Sequence, residues 1–557
     1  MNKKTILSIL SSALMLTAAH AQTVTHQALE QSIITPAASG RYLWLPIQDS
    51  APEGRVCVLV NNTEMMGQNV RMAREKVDYY VALDMQPWLG REGMKVVIQN
   101  VPSGSVCFSR LAQNNDQDHE FIADAFRPAY HHTPRRGWMN DPNGMFYLDG
   151  TWHLYYQYNP YGCLWGNMHW GHSTSTDLIH WKDEGIALAP DAWGTMFSGS
   201  CVVDPENTAG FGKDAVIAMY TTSRPTPFGG DVQAQALAYS TDGGKTFTKY
   251  AGNPVLTADI VDFRDPNPFW NEDTKAWNLI MASGQEMRLY SSPNLKDWKE
   301  ESRFGKELGC HGGVWECPDL MKLPVESAKS GKNQAPEYKW VLFCNINPGF
   351  IYGGSATQYF VGDFDGHKFT VDNPARYADG KALWQDYGKD HYATVSFYNA
   401  PDGRHPMIAW MSNWQYANDV PTRQYRSANS IVRDPFLYKV GQEYFLGSRP
   451  APEYDNAGLD KVIKLKGSKT VTLSNAQGES ATITYDEKAM TLSFDRSQSG
   501  KVDFSADFAV KTVAPVHRKL TSLRIFVDNS SVEVFGNNGE VVLTNLVFPQ
   551  SPLNIIK

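Results

Sequence analysis

Three acidic residues stand in stiff local settings along this chain. Asp141 lies in Trp138-Met139-Asn140-Asp141-Pro142-Asn143-Gly144. The following proline biases Asp141 away from the helical region, and Asn143-Gly144 supplies a tight turn. Asp265 lies in Phe263-Arg264-Asp265-Pro266, where Arg264 would keep the carboxylate ionised if the two share a cavity. Glu316 lies in Val314-Trp315-Glu316-Cys317-Pro318-Asp319, among apolar neighbours that would raise its pKa. Hydrolysis of a glycosidic bond needs two carboxylates in opposite environments. One is ionised to attack or stabilise the anomeric carbon, and the other holds a proton for the leaving oxygen. Each segment alone is more often a plain turn, so their joint occurrence is the signal.

The elements that must position these residues read as β-structure throughout. A degenerate unit recurs: Ser175-Thr176-Asp177-Leu178-Ile179-His180-Trp181, Ser240-Thr241-Asp242-Gly243-Gly244-Lys245-Thr246-Phe247, Ser292-Pro293-Asn294-Leu295-Lys296-Asp297-Trp298, and Gly362-Asp363-Phe364-Asp365-Gly366-His367-Lys368-Phe369. The closing aromatics are 66, 51 and 71 residues apart. A polar turn ending in an aromatic at that spacing suits one four-stranded sheet per repeat, hence a β-propeller of about five blades over 125–452. Unrelated hairpin turns are the plainer alternative. Period-two alternation in Thr470–Ser474, Ala481–Tyr485 and Leu523–Asp528, with a hairpin across Asn537-Asn538-Gly539, makes 453–557 a β-sandwich. Residues 22–124 read as a small additional β domain, with Asn114–Asp118 as a polar linker. The fold class is therefore all-β.

Length and charge bound the function. The chain has 557 residues and a formal net charge of −8, which argues against a nucleic-acid binder. Lys3 and Lys4, the apolar run Ile6–Ala18 and Ala19-His20-Ala21 read as a signal peptide over 1–21. No later stretch reaches the roughly 18 apolar residues of a membrane span. The first cysteine is Cys57, so no lipid-anchor cysteine adjoins the cleavage site, and the protein is expected to be periplasmic or secreted. The seven cysteines have no zinc-ligand spacing. A Cys57–Cys107 bridge is one option and buried free thiols are the preferred one. His131, His132, His169 and His172 fit no metal motif and read as hydrogen-bonded positions.

Together, Trp138–Gly144, Phe263–Pro266 and Trp315–Leu320 resemble glycoside hydrolase family 32, the β-fructosidases. So do Leu154–Pro160, Trp165–His172, Phe197–Ser200 and Asp528–Phe535. The resemblance covers about 125–557 and implies a five-bladed propeller with a C-terminal β-sandwich. By that resemblance Asp141 is the nucleophile, Glu316 the general acid/base and Asp265 the transition-state stabiliser. Asn140, Gln157, Trp165, Phe197, Ser198 and Arg264 match residues around the terminal fructosyl unit. Trp384 and Trp410 match that pocket more loosely, and packing inside a blade serves as well for both. The N-terminal domain resembles extra modules of gut-bacterial fructan enzymes.

The implied chemistry is retaining hydrolysis of β-fructofuranosidic bonds, with the two carboxyls about 5–5.5 Å apart and no metal or cofactor. An exo-acting release of fructose from levan or inulin is the leading expectation. Invertase, endo-levanase or fructosyl-transfer activity are alternatives within the family. A catalytically silent fructan-binding protein and a structural scaffold are alternatives outside it. Fructan or a fructo-oligosaccharide is the expected partner, with no nucleic acid and no membrane anchor.

Overall fold

The structure, a computed structural model, describes residues 22–326 and 337–557. The expected signal peptide lies outside the described residues. The chain divides after Phe121 into two compact units.

The first unit holds two antiparallel sheets, one of five strands and one of three. Val56, Val58 and Ile98 of the larger sheet and Leu43, Leu45 and Val81 of the smaller are all buried. The segment read as a linker is in part a strand. Ala112–Asn114 pairs with Tyr42–Trp44, and Asn114 Oδ1 accepts from Trp44 Nε1 at 2.9 Å. A polar sequence is held here because its main chain completes a sheet edge.

The second unit carries the propeller and the sandwich. Blade 1 is built from Gly137–Leu148, Thr151–Asn159, His169–Ser175 and Lys182–Leu188. Blade 2 uses Thr195–Asp204, Ala215–Pro225, Asp231–Ser240 and Thr248–Lys249. Blade 3 uses Phe263–Asn271, Ala276–Ser283, Met287–Ser292 and Lys299–Phe304, and blade 4 uses Val314–Glu326, Tyr338–Asn347, Ala356–Phe364 and Phe369–Val371. Blade 5 uses Tyr392–Ser396, Met407–Met411, Arg433–Val440 and Glu443–Pro450, and joins blade 4 through a parallel pairing at Val325–Leu437. First strands of successive blades pack side by side, and that of blade 5 packs on that of blade 1, which closes the ring.

The recurring polar unit is the turn between third and fourth strands of blades 1 to 4. Its acidic or amide side chain caps that turn. Asp177 Oδ1 accepts from the N–H groups of Ile179 and His180 at 3.0 and 2.8 Å, and Asp242, Asn294 and Asp365 repeat the pattern.

Each first strand also carries a β-bulge at the same level. Two residues there face one on the second strand: Asn140-Asp141, Phe197-Ser198, Asp265-Pro266, Cys317-Pro318 and Ala393-Thr394. A bulge turns side chains away from the pleat. Five at one level aim five sets of side chains at one end of the ring.

The sandwich packs a four-stranded sheet on a five-stranded one. Val471, Ile483, Phe494, Ile525, Val534 and Leu543 fill the space between them. Asn537 and Asn538 both take positive φ, 47° and 54°, at the expected hairpin.

Candidate active site

The bulges bring Asp141, Ser198, Asp265 and Glu316 together. Ser198 Oγ donates to Asp141 Oδ2 at 2.7 Å, and Asn140 Nδ2 donates to Asp141 Oδ1 at 3.1 Å. Asn140 is itself fixed by Trp138 Nε1 at 2.8 Å. The Cys317 thiol lies 3.4 Å from Asp141 Oδ2 and 3.5 Å from Asp265 Oδ2, and the Cys317 N–H donates to the same Asp265 oxygen at 2.9 Å. Burial pushes the thiol pKa well up, so it stays protonated between the two carboxylates. Asp265 takes a positive φ of 64°, and its N–H donates to Thr221 Oγ1 at 3.0 Å.

Glu316 is held differently from what its sequence neighbours suggest. Arg264 Nη2 donates to its Oε1 at 2.9 Å, and the Tyr392 hydroxyl donates to its Oε2. The polar hold replaces the apolar pocket expected from Val314 and Trp315, because Trp315 turns away into the blade core, fully buried against Phe360. Burial lifts the Tyr392 phenol far above its ordinary range, so it remains a donor.

Arg264 favours the ionised form of Asp265, as expected, but only from a distance. Its guanidinium is committed to Glu316 and Asp262, and its Nε stands 3.9 Å from Asp265. Burial first, then the like charges of Glu316 and Asp141, outweigh Arg264 and push the Asp265 carboxyl up to about 7. Burial also raises Asp141, with Glu316 adding to it and Ser198, Asn140 and Cys317 working against it.

The remaining expected residues separate into two groups. Phe197 lies beside Ser198, and the half-exposed Trp165 meets it edge-on with centroids 6.1 Å apart. Gln157, buried, faces the Asn140-Asp141 bulge from the second strand of blade 1. Trp384 lies elsewhere. Leu383-Trp384 pairs with Gln358 and Tyr359, and the indole packs 5.2 Å from Phe350 in the apolar cluster of blades 3 and 4. An apolar ring beside an open sheet edge gains more by burial there than by facing the site. Trp410 is fully buried behind Trp138 and Tyr392.

Sequence reasoning missed Tyr392 and the Cys317 thiol as site groups. Tyr392 sits in Asp390-His391-Tyr392-Ala393, where no acidic turn advertises it. The clue was Cys317 standing directly after Glu316. Among the described residues no cluster of His, Cys, Asp and Glu could hold a metal ion. His131 bonds Asp528 and Glu533, His132 bonds Asn429 and Ser173, His169 bonds the Asn167 carbonyl, and His172 bonds His153. The seven cysteines are free.

Residues 131–446 match the glycosyl hydrolases family 32 N-terminal domain, and residues 462–557 match the family 32 C terminal. The chain belongs to glycoside hydrolase family 32. Residues 29–130 of this family 32 chain match a domain of unknown function, DUF4980. The levanase of Bacillus subtilis is 43% identical over 474 residues, which cover 78% of this chain and 68% of that protein. The extracellular exo-inulinase of Aspergillus awamori is 39% identical over 491 residues, 76% of this chain and 90% of that one. Invertase 2 of Saccharomyces cerevisiae is 40% identical over 412 residues, 71% of each chain. The crystal structure of the A. awamori exo-inulinase superposes with a TM-score of 0.69 at 36% identity, covering 77% of this chain and 94% of that one.

Proposed function

We propose that this family 32 enzyme is a retaining, exo-acting β-fructofuranosidase that releases fructose from fructans of the levan or inulin type and acts on sucrose as well. The observation that carries the reading is the pairing of two differently held carboxylates at one end of the propeller. Asp141 accepts from Ser198 and Asn140, and Glu316 is gripped by Arg264 and Tyr392. Relatives named levanase, exo-inulinase and invertase support the substrate class.

In this mechanism an Asp141 oxygen attacks the anomeric C2 of the terminal β-fructofuranosyl unit. Glu316 gives its proton to the leaving glycosidic oxygen as the C2–O bond breaks. The product of that step is a fructosyl ester on Asp141 and a shortened chain. Glu316, now ionised, takes a proton from water, whose oxygen attacks C2 and frees Asp141. Asp265 holds fructosyl hydroxyls while positive charge develops on the ring. Asn140, Gln157, Trp165, Phe197 and Ser198 shape the pocket for that terminal unit, and Arg264 acts by holding Glu316. The protein works outside the cytoplasm, in keeping with the relatives named extracellular exo-inulinase.

The test is product analysis over time on levan, inulin and sucrose, with Asp141→Asn and Glu316→Gln as controls. Free fructose from the first minutes, and activity lowered by about three orders of magnitude or more in both variants at unchanged melting temperature, is the expected result. Early oligosaccharides would replace the exo reading with an endo one. Near-normal rates in either variant would overturn the assignment of roles.

A further inference from the structure

Apolar surface on the propeller concentrates at one end. Among the described residues, eight large apolar side chains of the blades and their loops are substantially exposed. Six of them, Trp165, Trp193, Phe228, Val232, Val261 and Ile351, lie at the end that carries Asp141, Asp265 and Glu316. Isolated exposed apolar residues need no explanation, but their gathering around a site does.

The blade 2 hairpin is the clearest case. Thr221, which bonds the Asp265 N–H, stands at the level of the bulge. Beyond it the second and third strands continue in register to the pair Pro225–Asp231. Four more residues at about 3.3 Å each carry the hairpin about 13 Å past the site. Its tip is locked by Thr226 N–H to the Gly230 carbonyl at 2.9 Å and Thr226 Oγ1 to the Gly229 carbonyl at 2.8 Å. That turn presents Phe228 at 99% exposure, and Gly229 and Gly230 put nothing beside it. On the flank, the Arg224 guanidinium lies 5.8 Å from the centre of the Trp193 ring. At the foot, Gln233 Oε1 accepts from Arg264 Nη1 at 3.4 Å, and Arg264 holds Glu316.

We infer that this hairpin, with Phe228 and Trp193, is a stacking wall for the sugar units of the leaving chain, the part of a fructan beyond the bond being cut. The inference rests on the proposed function for its direction. Glu316 serves the leaving oxygen, so the departing chain exits on the Glu316–Arg264 side, and Gln233 makes the hairpin continuous with that side. An exposed aromatic face buries the C–H face of a sugar ring without stranding its hydroxyls. Arg224 steadies the Trp193 ring and offers N–H donors to those hydroxyls. Sucrose has a single ring as leaving group and ends well below the tip, so the wall selects for length.

Phe228→Ala and Trp193→Ala test this in the full chain. We expect kcat/KM on long inulin or levan to fall about five- to tenfold in each, with sucrose within about twofold of wild type. A parallel calorimetric titration in the Glu316→Gln background, with fructo-oligosaccharides of increasing length, should show the gain in affinity with length in the parent and its loss in Phe228→Ala. Equal losses on sucrose and polymer, or no loss of length-dependent affinity, would overturn the wall. Absence of hydrolysis of all three fructosides by wild type would overturn the proposed function instead, and the titration would still decide the wall.

Discussion

At the scale of single residues the site carries a conflict of charge. Asp141, Asp265 and Glu316 crowd around one thiol and one arginine. Asp265 bears the consequence, with its carboxyl pushed up to about 7 by burial and by its acidic neighbours. A carboxyl with a raised folded pKa binds more protons folded than unfolded. Stability is therefore lost as pH rises from the unfolded value of about 4 through 7, and the cost is complete above 7. Asp265→Asn removes that cost while leaving Arg264 its partners Glu316 and Asp262. The variant should melt a few degrees higher than wild type at pH 8, show a smaller gain at pH 5, and hydrolyse fructosides at least a hundredfold more slowly. An equal or negative Tm change at both pH values would show that Asp265 is not strained by its neighbours. The position of Asp265 was legible in Phe263-Arg264-Asp265-Pro266, but its charge state was not. A sequence neighbour such as Arg264 can point elsewhere, and burial depends on three blades meeting.

At the scale of elements the decisive device is the bulge repeated in every first strand. At Ala393 it holds a non-glycine residue at a φ of 54°, fully buried, beside the Tyr392 that holds Glu316. A β-branched side chain pays heavily in that region. Ala393→Val should destabilise by about 2 kcal/mol or more and lower kcat more than it raises KM, whereas Ala393→Gly should be close to neutral. Denaturant unfolding with steady-state kinetics checks both, and a well-folded Ala393→Val with normal kcat would remove the bulge from the argument. The turns between strands were legible, since Asp177, Asp242, Asn294 and Asp365 cap them through local bonds. The bulges were not, because nothing local marks Ala393 or Ser198 as displaced from a pleat. The joint between propeller and sandwich was equally hidden. His131, buried, bonds Asp528 and Glu533, and Arg433 bridges Glu533 to Asp386. Burial opposes the charge on His131, but its bonds to the two acids raise its pKa to about 9. That contribution to stability is full below 6.5 and is lost as pH rises toward 9. Wild type should lose stability between pH 6.5 and 8, and His131→Gln should be less stable at pH 6.5 and lose less across that window. An unchanged slope in thermal melts of the variant would assign the loss to other groups.

At the scale of the whole molecule the same accounting gives the opposite sign on the acid side. Burial lowers His132, His153, His169 and His405 to about 4, and His172 and His391 to about 3, with the charge of His153 adding to the effect on His172 and that of Arg433 to the effect on His391. Groups with depressed folded pKa contribute stability that is lost as pH falls from about 6.5. These six are neutral in the fold at pH 5 and charged in the unfolded chain. Asp265, protonated in the fold at that pH, releases one proton on unfolding. Against Asp265 and the other carboxyls that burial raises, Asp141, Asp183, Asp319 and Asp434, the net uptake of protons on unfolding near pH 5 should still be positive, carried by the six histidines. They are also concentrated in space. His153, His169 and His172 belong to blade 1, His132 bridges Ser173 of blade 1 to Asn429, and His391 adjoins the first strand of blade 5 and meets Thr394. Blades 1 and 5 are the two that close the ring, where the chain's first and last first-strands pack together. Protonation therefore acts on the seam that has no covalent continuity between successive blades. Calorimetry at pH 5 in buffers of different ionisation enthalpy should return that proton uptake, and amide exchange below pH 5 should open blades 1 and 5 before blades 2, 3 and 4. Uptake near zero, or exchange that begins in blade 3, would show that acid unfolds the propeller elsewhere than at its seam.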